Sequence, residues 1–264
     1  MTPAPPQAEK RARFDLWAPV LGVAGFLVLW QLGHLAYGSF VLPSPYETFT
    51  ALWELFLDGR ALPALWATTR RALAGFFLAG LGGSALGLAA GFFPAFERAM
   101  RPVMAFFLGA PPVAWIVLAL LWFGSGGAAA VFTVAVTTFP VVYAGAVQGV
   151  RTLDEDLAAM ARSFGAPPLV LFWDVRAPHI ASYLYPEWVT ALGLSWKAAV
   201  MAELLGAADG IGAGLAMARV NLETAEAMAW VAAVVAMLLF TQHALLEPVK
   251  RRMTAWRGQG DASP

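Results

Sequence analysis

Six long apolar runs dominate the pattern of the chain. They fall at about Leu16–Tyr37, Ala72–Phe93, Pro102–Phe123, Ala128–Val150, Ile180–Leu205 and Ala225–Glu247. A bilayer core about 30 Å thick takes roughly 20 apolar residues per helical crossing. The pattern therefore predicts an all-α, polytopic membrane protein with six transmembrane helices. Between the first two runs, Val41-Leu42-Pro43-Ser44-Pro45 reads as an extended break. After it, Phe49, Leu52, Trp53 and Phe56 recur at helical spacing, which predicts an amphipathic helix over Tyr46–Leu57 on the outer surface. In the second run Gly83, Gly87 and Gly91 recur every fourth position, the spacing that lets another helix backbone come close in lipid.

Composition supports a membrane reading over a soluble one. Of 264 residues, 59 % are hydrophobic and 13 % charged, against roughly 45–50 % and about 25 % in soluble domains. The formal net charge is zero, so no field points to nucleic acid. There is no cysteine, and the three histidines, His34, His179 and His243, lie far apart. No metal centre or other cofactor is expected from such a set. Lys10, Lys197 and Lys250 are the only lysines, and none follows a glycine-rich phosphate loop. Gly210-Ile211-Gly212-Ala213-Gly214 has no preceding strand and reads as an outer loop leading into a short helix at about 215–220. The chain is thus expected to hydrolyse no ATP itself.

Basic residues orient the spans. The first fifteen residues are Pro-rich and basic, and the long run behind them reads as an uncleaved first span. With that end in the cytoplasm, twelve of the 17 Lys and Arg fall on inside segments. Four, Arg60, Arg70, Arg71 and Arg219, fall outside, and Lys197 lies within a span. Both termini are expected inside, with Arg70 and Arg71 snorkelling to the interface.

The longest inside loop, 151–178, carries an apolar stripe of Leu153, Leu157, Met160, Ala161 and Phe164. Asp154, Glu155 and Asp156 load the first turn of that helix with the favourable charge sign. Gly165 is placed to stop it, and Pro167-Pro168 to start a second short helix. A compact helix–turn–helix of this kind suits a groove on another protein.

Here the sequence resembles the permease subunits of bacterial binding-protein-dependent ABC importers. Ala161, Gly165 and Pro178 match the coupling loop of that family, and Arg162-Ser163-Phe164 and Ala166 are filled as the family commonly fills them. Position 159, glutamate in the family pattern, is alanine, and Asp154–Asp156 stand as partial substitutes. The segments 42–45 (LPSP), 110–116, 121–124 (LWFG), 194–197 (LSWK), 202–206 (AELLG) and 210–212 (GIG) resemble the nitrate/sulfonate/taurine branch. The resemblance implies the type I importer arrangement in the bacterial inner membrane. The divisions would be an inner tail at 1–15, a first span with its outer helix at 16–64, a permease domain at 65–250 and a tail at 251–264. It also implies a homodimer in lipid, two ATPase subunits against Asp154, Glu155, Asp156, Leu157, Ala161, Phe164, Gly165, Ala166 and Pro178, and a substrate-binding protein outside. The solute would be a small anion such as a sulfonate, nitrate or taurine, with a heterocyclic vitamin precursor as the alternative.

Thr137, Gln148, Ser195, Lys197 and Glu203 are the polar candidates for the translocation path. Charged groups in a span face a cavity or a partner. Lys197 either attracts an anion in the path or pairs structurally, and Glu203 suits a structural or gating hydrogen bond. The two are six residues apart, about 240° around a helix, so their partners are expected on other helices. Pro111-Pro112 is expected to disturb the third span beside a cavity. A non-ABC secondary transporter is the competing class. An intramembrane serine protease is excluded because Ser195 and His243 would lie roughly 15 Å apart in depth.

Overall fold

The computed structural model describes residues 6–241, with side chains given in that range except at 6–19, 155, 157 and 158. Eleven helices follow one another among them. These are α1 (Pro6–Tyr37), α2 (Pro45–Leu57), α3 (Ala61–Phe92), α4 (Pro94–Gly109), α5 (Pro112–Phe123) and α6 (Gly127–Arg151). Then come α7 (Glu155–Ser163), α8 (Pro168–Val170), α9 (Ala177–Gly206), α10 (Ile211–Val220) and α11 (Thr224–Thr241). A π-helical segment, Leu171–Arg176, joins α8 to α9. Five helices are long and apolar enough to cross a membrane, and α4 with α5 makes a sixth crossing if the bent pair counts as one.

Three expectations change. The third run is not one straight helix: α4 and α5 meet at 95°. Pro111 and Pro112 supply no backbone N–H there, so the ladder breaks at Ala110 and restarts with Pro112 in the first turn. The second helix begins at Ala61 rather than Ala72, so α3 runs unbroken across position 64. The fifth span starts inside the loop, with helical backbone from Pro168 through Gly206. The expected end of the last span, 242–247, and the tail at 251–264 lie outside the described residues, as does His243.

The expected amphipathic helix is present as α2. Ser44 caps it: its hydroxyl accepts from Glu47 N at 3.1 Å, while Glu47 Oε2 accepts from Ser44 N at 2.7 Å. That backbone N–H is the main reason the Glu47 carboxyl sits below the usual carboxylate range.

The glycine stripe of α3 meets α6. A Cβ at Gly83 would stand 2.9 Å from the Phe139 carbonyl oxygen, and one at Gly87 would stand 2.6 Å from that of Tyr143. Gly75 and Gly91 meet Val134 and Val150 in the same way. Glycine is needed here for close approach, and the seam runs from Gly75 to Gly91 on α3 and from Val134 to Val150 on α6. Across it α9 packs through Trp188, whose Nε1 donates to Ser84 Oγ at 3.0 Å. Phe76, Val142, Ala191 and Leu192 form one buried cluster of this three-helix core, and Ala72, Val134, Trp196 and Ala199 another.

Candidate functional site

The chemistry-bearing residues gather at the loop 151–178, at an ion-pair network buried among α3, α9 and α10, and along exposed faces of α6 and α9.

In the loop, Asp154 Oδ1 accepts from Asp156 N at 2.9 Å at the start of α7. Gly165 ends that helix at φ +77°. Gly165 N donates to Arg162 O at 3.0 Å and Ala166 N to Ala161 O at 3.1 Å, the paired bonds of a left-handed helix stop. Open space surrounds Gly165, so its backbone angle, not crowding, is what favours glycine. Phe164 is 85 % exposed, Leu169 72 % and Trp173 63 %, so an apolar knob projects from the turn. Ala161 and Ala166 are half-buried, while Asp154, Asp156 and Pro178 are exposed. The side chains of Glu155 and Leu157 lie outside the described ones. Thr152 Oγ1 and His179 Nε2 stand 3.1 Å apart, closing the base of the loop.

At that base Glu97, in the first turn of α4, is buried. Its Oε2 accepts from Arg151 Nη2, and its Oε1 lies 3.4 Å from Arg101 Nη2.

The second site centres on Glu203, which is fully buried. Its Oε1 accepts from Arg71 Nη1 at 2.8 Å, and its Oε2 from Thr68 Oγ1 at 2.7 Å and Gly212 N at 3.2 Å. Thr68 Oγ1 in turn accepts from Ile211 N at 2.9 Å. Arg71 also donates to the Asp209 carbonyl oxygen at 2.8 Å and to its carboxylate. Arg71 therefore does not snorkel: its side chain is 5 % exposed and clamps the α9–α10 turn onto α3. The expectation that the partners of Glu203 lie on another helix is met by Thr68 and Arg71. The signal in the sequence was the two outside arginines that broke the charge bias, Arg70 and Arg71. One is exposed and the other occupied by a carboxylate.

The remaining polar candidates separate by exposure. Ser195 is buried, and its hydroxyl donates to Ala191 O at 2.7 Å on its own helix. Thr137 is half-buried and donates to Thr133 O at 2.8 Å. Gln148 and Lys197 are exposed in the single chain. Thr137 and Gln148 fall within about 20° of each other around α6, as do Thr190 and Lys197 around α9.

At the opposite end of the bundle from the loop, a pocket of about 600 Å³ opens between α2 and the α10–α11 turn. It is lined by Glu47, Glu54, Glu223 and Glu226 among others. Arg60 crosses it to Glu226 at 2.9 and 3.2 Å.

Residues 83–244 match the family model described as binding-protein-dependent transport system inner membrane component. The taurine transport system permease protein TauC of Escherichia coli is 28 % identical, over 88 % of this chain and 86 % of that protein. The putative aliphatic sulfonates transport permease protein SsuC of the same organism is 32 % identical, over 78 % and 80 %. The riboflavin transport system permease protein RibX of Chloroflexus aurantiacus is 31 % identical, over 97 % of each. Among solved structures, a chain of the inward-facing MetNI methionine ABC transporter superposes with a TM-score of 0.55 at 19 % identity. It covers 74 % of this chain and 98 % of its own.

Proposed function

Because the chain belongs to the family of binding-protein-dependent transport system inner membrane components, we propose that it is driven by two separate ATPase subunits docked on the loop 151–178. The chain itself is a multi-pass permease. The observation that carries the proposal is the knob at the glycine stop, where Phe164, Leu169 and Trp173 are exposed beyond the bundle. Large apolar side chains grouped on a surface outside the membrane mark a protein interface. ATP-driven closure of the ATPase pair would move this knob and shift the permease between inward- and outward-open populations.

The path is proposed to run along the faces of α6 and α9 that carry Thr137, Gln148, Thr190 and Lys197, closed by a second copy of the chain. Lys197 would attract an anion there. Ser195 and Glu203 would serve this path as framework, since their polar atoms are already engaged. The ammonium, together with the names of TauC and SsuC, favours a small sulfonate-type anion. The riboflavin relative is the reason to keep a heterocyclic vitamin precursor as the second reading. Both termini would be cytoplasmic, and a substrate-binding protein would dock on the opposite face.

Co-expression with the partner ATPase tests the docking. The two should co-purify and hydrolyse ATP, and Phe164→Asp should release the ATPase while leaving the permease in the membrane. Retention of a fully active ATPase by that variant would place the contact elsewhere.

A further inference from the structure

Two unusual groups lie on α4 and α6 near the point where the loop 151–178 leaves the bundle. One is Glu97, a buried carboxylate divided between two arginines on different helices. Arg151 is the last residue of α6 and opens directly into the loop, whereas Arg101 is 70 % exposed and its contact is long, at 3.4 Å. One carboxylate oxygen is thus firmly held and the other loosely. The second group is the hydroxyl of Tyr143, buried two turns back on α6 and without a hydrogen-bond partner among the described residues. It sits among Ala90, Met104, Phe96 and Met100, the last three on α4 like Glu97. Phe96, the chain neighbour of Glu97, packs against the same cluster as the Tyr143 ring.

An orphaned polar atom in a core calls for a physical reason. Phenylalanine would fill the same space without the desolvation penalty of an unmade bond. A second state in which the bond is made supplies that reason. α4 is well placed to reach such a state. It is bounded by the break after Phe93 and the 95° bend at Ala110, so it can move as a short rigid body. The α3–α6 seam beside it, locked by glycine contacts, cannot. Interfaces of this kind have discrete arrangements rather than a continuum.

Resting on the reading of loop 151–178 as the ATPase contact, we propose that Glu97 is a two-position switch that exchanges Arg151 for the Tyr143 hydroxyl when the loop is driven. The exchange slides α4 along α6 by about one helical turn, ~5.4 Å. It turns a displacement of the loop root into a displacement of the broken α4–α5 span. Glu97 and Tyr143 are positioning residues here and touch no solute.

The absence of cysteine in the chain makes the test direct. A single Ala99→Cys, on the exposed side of α4, is labelled with a maleimide in the complex with its ATPase, with and without ATP and vanadate. In the otherwise unchanged chain the labelling rate should change at least threefold on trapping. Adding Tyr143→Phe, which removes no bond present in this structure, should leave assembly and the nucleotide-free rate unchanged but cut the trapped-state change below 1.5-fold. Glu97→Gln, which weakens the resting pair with Arg151 and keeps an acceptor for the Tyr143 hydroxyl, should instead shift the nucleotide-free rate toward the trapped value. A full response with Tyr143→Phe would overturn the switch, as would no response in the unchanged chain. Failure of the ATPase to co-purify with the unchanged chain would instead remove the docking reading on which the switch rests.

Discussion

The guanidinium of Arg71 donates to the carboxylate of Glu203 at 2.8 Å, with both side chains shielded from solvent and the two residues 132 positions apart in the chain. The bond joins the N-terminal half of α3 to the end of α9, and Asp209 extends it to the turn before α10. The three ties differ in strength. The buried pair has no water to replace a lost partner, whereas the side chain of Asp209 is 61 % exposed.

Removing one member of the buried pair should therefore cost far more than removing Asp209. Arg71→Met strands a buried charge and is expected to destabilise the chain by about 3–5 kcal/mol. Asp209→Asn is expected to cost at most about 1 kcal/mol. The double variant Arg71→Met with Glu203→Leu should recover part of the loss, because the stranded carboxylate is gone. Thermal unfolding of the detergent-solubilised protein reads all three. Equal losses for Arg71→Met and Asp209→Asn would show that the network is not divided in this way.

The glycine seam predicts a contrast between neighbours. Gly87→Val drives side-chain atoms into the Tyr143 backbone and should cost upward of about 1–3 kcal/mol. At Gly82 an added Cβ would meet only the Phe139 ring, at 3.6 Å. Gly82→Ala should thus be neutral or stabilising, by up to about 1 kcal/mol through helix propensity. Unfolding midpoints of the two variants check this. Comparable destabilisation by both would mean that the α3–α6 approach is not set by these positions.

Lys197 is exposed on α9 in the single chain, so replacing it removes little internal packing. Lys197→Met should leave expression, assembly and basal ATP hydrolysis intact and depress uptake of an anionic solute about tenfold or more. Uptake assays in cells and in liposomes read the effect. Undiminished uptake would take Lys197 out of the path.

The apolar runs, the amphipathic α2 and the glycine stop at Gly165 were legible in the sequence because each depends on local periodicity or on one residue's backbone freedom. The stripe of Gly83, Gly87 and Gly91 was legible as a close approach, but its partner α6 was not, since spacing on one helix says nothing about which helix faces it. Pro111-Pro112 announced a disturbance without its size. Glu203 drew notice as a charge in a span, yet Arg71 was misread, because an arginine near a helix end can reach water or a carboxylate equally well. Glu97 and Arg151 passed unremarked. Their pairing joins residues 54 positions apart, and neither stands in an apolar run.

The central claim is that this permease works only when an ATPase moves the loop 151–178. Its most direct test is solute uptake into liposomes containing the chain, with and without the partner ATPase, and with the binding protein that holds the solute supplied outside. Uptake should require ATPase and ATP together. Gly165→Val, which forces a β-branched residue into a left-handed turn at a cost of about 1–2 kcal/mol, should misplace the knob and at least halve the solute moved per ATP hydrolysed. Uptake that proceeds without the ATPase, or at unchanged stoichiometry in Gly165→Val, would contradict the account.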